Sequence, residues 1–87
     1  MELRVTDLRY REVINAANGE RLGYVSDVMI DGGSGRITAL VVPGPAKLFG
    51  LLGREEDYVL PWANISRLGE DIILIDSASA VRRKKRG

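Results

Sequence analysis

The segment from Leu22 to Val42 constrains the fold of this chain more than any other. Two runs rich in apolar and β-branched residues, Leu22–Asp31 and Arg36–Val42, flank the sequence Gly32-Gly33-Ser34-Gly35. Small residues of this kind make the tight turns that join antiparallel strands. The register that follows pairs Asp31 with Arg36, Ile30 with Ile37, Val28 with Ala39 and Ser26 with Val41. One face of this predicted hairpin is then almost wholly apolar.

The chain is short, and its length limits what it can build. Its 87 residues suffice for one core, because a domain of this size buries only about 60–65% of its unfolded surface. There is no apolar run long enough to cross a membrane and no basic-then-apolar leader at the N-terminus. The absence of cysteine removes disulfides and thiolate chemistry. We therefore expect one soluble, cytoplasmic domain.

The net charge of +1 hides an uneven distribution. Five of the thirteen basic residues lie in the last six positions, whereas residues 1–81 carry eight basic and twelve acidic groups, a net charge of −4. A nucleic-acid-binding face is normally positive, so this balance argues against one on the folded body. The pattern divides the chain into a domain at residues 1–79 and a basic, disordered tail at residues 80–87.

The rest of the sequence adds short strand candidates separated by turn residues. The strand candidates are Glu12–Asn15, Asp57–Leu60, Ile65–Leu68 and Ile72–Ile75. The turn signals are Asn18-Gly19, Pro43-Gly44-Pro45 and Gly69-Glu70-Asp71. No segment predicts a long helix. Short strands of this kind predict an all-β fold, a small six-stranded antiparallel barrel, because closing the sheet removes its vulnerable edges.

Trp62, the only tryptophan, follows Pro61 at a predicted turn or single helical turn. A tryptophan can anchor a binding surface, or it can fill the open end of a small barrel. We expect Trp62 to pack in the core.

These residues resemble a known family. The stretches Leu22–Asp27 and Gly35–Val42 resemble the core of the PRC-barrel domain. The stretches Asp57–Ile65 and Leu68–Leu74 are similar to the small stand-alone PRC-barrel proteins of the YlmC/YmxH type in spore-forming Firmicutes. The resemblance covers roughly residues 3–76. It implies a six-stranded β-barrel in a sporulating bacterium, and it implies little about mechanism.

Residues that would carry catalysis or bind a metal are scarce. The chain has no histidine, and none of its serines lies in a nucleophile-elbow pattern. Asp27 and Asp31 could form a carboxylate pair, but a calcium site needs about 6–8 oxygen ligands. The alternative is that Asp31 pairs with Arg36 and Asp27 caps a strand. We expect no enzyme activity, no catalytic residue, no metal and no cofactor.

The connection at residues 46–53 is the more promising functional segment. Its large apolar residues are Leu48, Phe49, Leu51 and Leu52. Each would forgo about 1.5–3 kcal/mol of burial if left in water. The segment could fold over its own barrel, or it could contact a second subunit or another protein. We take the second interpretation as the partner-binding site.

The tail is the other candidate contact. Its basic residues are Arg82, Arg83, Lys84, Lys85 and Arg86. At about 1 kcal/mol per basic residue near an anionic surface, five give only about 5 kcal/mol. The tail could therefore assist weak attachment to nucleic acid or to an anionic surface, or it could be a solvated end.

Two hypotheses of function follow from these features. The first is a non-enzymatic, sporulation-associated PRC-barrel module that binds a protein partner or forms a homodimer through residues 46–53. The alternative is an accessory protein that associates with RNA or the ribosome, with the basic tail assisting the contact.

Overall fold

The computed structural model describes residues 2–44 and 57–76, together with the backbone of residues 81–83. The helical elements are α1 (Val5–Arg9) and a short 3-10 helix (Trp62–Asn64). The strands are β1 (Glu12–Asn15), β2 (Arg21–Tyr24), β3 (Asp27–Ile30), β4 (Ile37–Val42), β5 (Asp57–Pro61), β6 (Ile65–Leu68), β7 (Ile72–Ile75) and β8 (Val81–Arg83). The predicted all-β class is confirmed.

The described strands form two sheets of four strands each. The first sheet has the order β2-β1-β7-β6 and the second has the order β3-β4-β5-β8. The sequence predicted one closed, six-stranded antiparallel sheet. Within the described residues the two sheets are not joined by a strand ladder, and β1 runs parallel to β7. β1 lies between β2 and β7, and its Val13 is fully buried.

The core is built from side chains of both sheets. Its fully buried members are Val13, Leu40, Val42, Leu60, Ile73 and Ile75. Leu8 of α1 and Val25, in the two-residue connection between β2 and β3, complete the cluster. Trp62 packs against this core while remaining half-buried, as expected from the sequence. The helix and both sheets therefore share a single core, which holds β2 and β3 at a corner between the sheets.

The β3–β4 hairpin has the predicted pairing at its turn, but its register differs from the prediction further along the strands. Ile30 lies opposite Ile37, and the Asp31 N–H donates to the Arg36 carbonyl at 2.8 Å. A β-bulge follows between Met29 and Ile30, because Thr38 is an extra residue on β4. The predicted pairing of Val28 with Ala39 is therefore wrong, and Val28 lies opposite Leu40.

The second hairpin and the Asn18-Gly19 turn are confirmed. β6 and β7 pair antiparallel around Gly69, whose N–H donates to the Ile72 carbonyl at 2.8 Å. Gly19 has φ +74°, a left-handed conformation that glycine adopts without steric cost.

Three residues of the predicted tail form a strand, and the rest of residues 80–87 lie outside the described residues. The backbone of Val81–Arg83 forms β8, which pairs antiparallel with β5 at the edge of the second sheet. An open sheet edge offers unpaired N–H and C=O groups, which gives an extended segment a reason to order there.

Candidate interaction surfaces

The predicted partner-binding residues, Leu48, Phe49, Leu51 and Leu52, lie outside the residues that the structure describes. The structure does describe the strands on either side of this segment. β4 ends at Val42 and β5 begins at Asp57, and Val42 lies opposite Tyr58 in the antiparallel pair. Val42 and Tyr58, which lie on the two sides of the segment in the sequence, are therefore neighbours at one end of the second sheet.

The predicted anion-binding residues are also only partly described. Arg82 and Arg83 belong to β8, where the structure gives their backbone, and Lys84, Lys85 and Arg86 lie outside the described residues. In register, Arg82 lies opposite Tyr58 and Arg83 opposite Asp57. Residues 81–83 of the tail therefore form a strand.

β3 carries an apolar surface that the sequence interpretation missed. It is an edge strand, and its Ile30 and Met29 side chains are 60% and 37% exposed. The predicted register had placed Ile30 on a hidden apolar face. Ile30 borders the turn, beyond the part of β4 that is buried (Ala39 to Val42), and so it lacks cover. The neighbouring Asp31 was the signal that Ile30 lies at the solvated end of the hairpin.

The carboxylates Asp27 and Asp31 both bind the backbone. Asp27 Oδ1 accepts the Val28 N–H at 2.8 Å, which is the capping role considered for it. Asp31 Oδ2 accepts the Ser34 N–H at 3.1 Å. Hydrogen bonds from the Ser34 side chain, and from the Ser34 and Gly33 N–H groups, hold the pKa of Asp31 below its usual value. Asp31 therefore organises the turn mainly through Ser34, whereas Arg36 meets it through the backbone.

A second surface lies between α1 and the β2–β3 corner. It is an open cleft of about 300 Å³ lined by Thr6, Arg9, Tyr10, Tyr24, Val25 and Ser26. Tyr10 is 79% exposed and Tyr24 is 54% exposed. No sequence pattern indicated this cleft, because its residues come from segments that only the folded chain brings together. Exposed tyrosines are common in protein contacts, since each combines an apolar ring with a hydroxyl.

The described residues contain neither a metal-binding cluster nor a helix that could span a membrane. They contain no group of three or more acidic, histidine or cysteine side chains placed to hold a metal ion. Among the same residues, no helix is both long and apolar enough to traverse a bilayer.

The fold and its hairpins agree with the comparison to known families. The model of the PRC-barrel domain matches residues 1–82, so the chain belongs to the PRC-barrel family.

Two Bacillus subtilis relatives place it within that family. The "Probable sporulation protein YlmC" is 37% identical over 73 residues, which cover 84% of this chain and 90% of the relative. The "Uncharacterized protein YmxH" is 36% identical over 76 residues, covering 85% of this chain and 88% of the relative. A Clostridium acetobutylicum protein is 28% identical over 72 residues, covering 83% of this chain and 82% of the relative. The predicted membership of the YlmC/YmxH-type group is confirmed.

Proposed function

We propose that this chain is a non-enzymatic PRC-barrel module of sporulation that works by assembling with a second copy of itself. The printed name of YlmC supports the sporulation context. The observation that carries the assembly role is the edge strand β3, on which the Ile30 and Met29 side chains, on alternate faces of the strand, both remain exposed.

The energy available from β3 alone is modest. Full burial of a Met or Ile side chain stabilises by about 1.5–3 kcal/mol, and the exposed parts of Met29 and Ile30 together represent about 2 kcal/mol. A two-fold interface uses this surface once from each copy, which doubles the figure to about 4 kcal/mol. A micromolar dissociation constant corresponds to a net binding free energy of about 8 kcal/mol. The contacts must supply this amount and also offset the cost of immobilising the partner. A second apolar contact is therefore required.

We assign that second contact to the segment at residues 46–53. Its four large apolar residues, Leu48, Phe49, Leu51 and Leu52, supply side chains of the size that dominates protein interfaces. The strand that leads into the segment, β4, lies directly beside β3 in the second sheet. Because β3 and β4 are antiparallel, Val41 near the end of β4 lies opposite Asp27, whereas Ile30 lies at the other end of β3. The proposed interface must therefore extend along the whole of β3 to include both Ile30 and the segment.

Sedimentation equilibrium tests this proposal. We expect the unmutated chain to form a dimer, and both Phe49→Asp/Leu52→Asp and Met29→Asp/Ile30→Asp to give folded monomers. The control Ala16→Asp/Ala17→Asp adds the same charge at two exposed alanines of the first turn and should leave the dimer intact. A monomeric unmutated chain at all concentrations, or a dimer unaffected by both apolar variants, would show that the proposal is wrong.

RNA or ribosome association remains the alternative. It depends on the basic residues Arg82 to Arg86, whose side chains lie outside the described part of the chain. Removal of residues 82–87 should abolish retention of RNA at low salt if the tail is the contact. Unchanged retention by the shortened chain would contradict this alternative.

A further inference from the structure

β8 is the least embedded strand of the second sheet. It has three residues, and it lies at the sheet edge with β5 as its neighbour. Its register pairs Val81 with Val59, Arg82 with Tyr58 and Arg83 with Asp57. β7 ends at Ile75, so the connection to β8 is residues 76–80, and its sequence is Asp76-Ser77-Ala78-Ser79-Ala80. A three-residue strand at a sheet edge is held by few backbone hydrogen bonds, so its detachment costs little.

β5, in contrast, keeps its position without β8. On its other side it pairs with β4 through four residue pairs, from Ala39↔Pro61 to Val42↔Tyr58. Leu60 is fully buried in the core, and Tyr58 packs against the same cluster. The edge of β5 is therefore a preformed template, and an extended segment can add to it by backbone pairing.

The charge pattern indicates which segment this template accepts. Arg83 lies opposite Asp57, and cross-strand pairs of opposite charge stabilise a sheet. The sequence continues the pattern on both sides, because Glu55 and Glu56 precede Asp57, and Lys84, Lys85 and Arg86 follow Arg83. An acidic segment would place like charges opposite each other, which opposes pairing.

We propose that the edge of β5 is a strand-addition site for the C-terminal segment of this chain, residues 81–87, and that the segment of a second copy can replace the chain's own. Exchange of an identical element between two copies requires no new contact type, since each copy gives up and regains the same pairing. This site involves neither β3 nor residues 46–53, so it is independent of the proposed dimer interface.

Amide hydrogen exchange of the full chain tests the charge contribution. Asp57→Lys should speed exchange at the amides of Val81–Arg83 at least tenfold and leave the core amides of Leu40 and Ile73 unchanged. Combining it with Arg83→Asp should restore protection, because the pair is then reversed rather than lost. The control Glu70→Lys, in the exposed turn of the second hairpin, should change nothing at β8. Equal exchange in Asp57→Lys and the unmutated chain would overturn the assigned charge pairing.

Addition of a peptide tests the exchange itself. We expect a tenfold molar excess of an unlabelled peptide of residues 79–87 to move the NMR signals of Val81–Arg83 in the labelled full chain toward disordered positions. The signal of Val59 should keep its strand-paired shift, because a new strand takes the same place. A peptide of the same composition in scrambled order should be at least tenfold less effective. Unmoved β8 signals, or equal effects of the two peptides, would overturn the proposal.

Discussion

Gly23 provides the sharpest test of how the two sheets meet. It lies in β2 of the first sheet with φ +121°, a conformation that residues with a Cβ rarely adopt. A Cβ added there would lie 3.3 Å from Cγ1 of Val42, a fully buried residue of the second sheet. The replacement Gly23→Ala therefore introduces both backbone strain and a tight contact across the core.

The two effects can be given magnitudes. A non-glycine residue held at such a φ costs about 1–3 kcal/mol. The contact requires Val42 to move by a few tenths of an ångström in a packed core. Overpacking typically costs about 1–3 kcal/mol, and we assign about 1 kcal/mol to this small movement. We expect Gly23→Ala to lower the free energy of unfolding by about 2–4 kcal/mol, and the melting temperature by roughly 10–30 °C for a domain of this size.

Urea and thermal unfolding followed by circular dichroism would measure this loss. Gly32→Ala is the matched control, since its added Cβ meets nothing within 4 Å and its φ lies outside the left-handed region. It should change stability by less than about 0.5 kcal/mol. In a Val42→Ala background the cost of Gly23→Ala should fall to the backbone part alone. Equal stability of the Gly23→Ala and Gly32→Ala variants would refute the reasoning.

Two further predictions concern the core and the turn at Gly32–Gly35. Leu60→Ala removes a fully buried side chain of the core and should lower the unfolding free energy by about 2–5 kcal/mol in denaturant titrations; a loss below 1 kcal/mol would contradict the described packing. Ser34→Ala should raise the pKa of Asp31 toward its ordinary value of 3.8, as followed by NMR titration, because the Ser34 side chain is the main group that lowers it. Since the folded-state pKa is the lower one, the stabilisation by Asp31 is present above the unfolded pKa and is lost as pH falls through the folded one, and Ser34→Ala should weaken that acid sensitivity.

The sequence predicted the local structure of this chain well. The turns at Gly32–Gly35, Asn18-Gly19 and Gly69–Asp71 depend on nearby residues, and turn chemistry is readable from short patterns. The family followed from the order of several such motifs along the chain. The all-β class could be predicted because short strand patterns alternate with turn residues along the chain.

The arrangement of strands was less accessible. The parallel pairing of β1 with β7 joins residues about sixty positions apart, and only packing against the shared core specifies it. The bulge at Met29/Ile30 shifts the register of the hairpin. The sequence did not predict the bulge, because a single extra residue on β4 does not change the hydrophobic pattern visibly. The cleft lined by Tyr10 and Tyr24 was not predicted either, because its residues come from segments that only the folded chain brings together.

We propose that β3 and residues 46–53 form the contact between two copies of the chain. A dilution series of amide NMR spectra of the full chain can test whether these residues form the contact. We expect concentration-dependent shifts concentrated at Asp27–Ile30 and residues 46–53, with Ala16 and Ala17 unmoved. Spectra that do not change with concentration, or shifts confined to other surfaces, would contradict it.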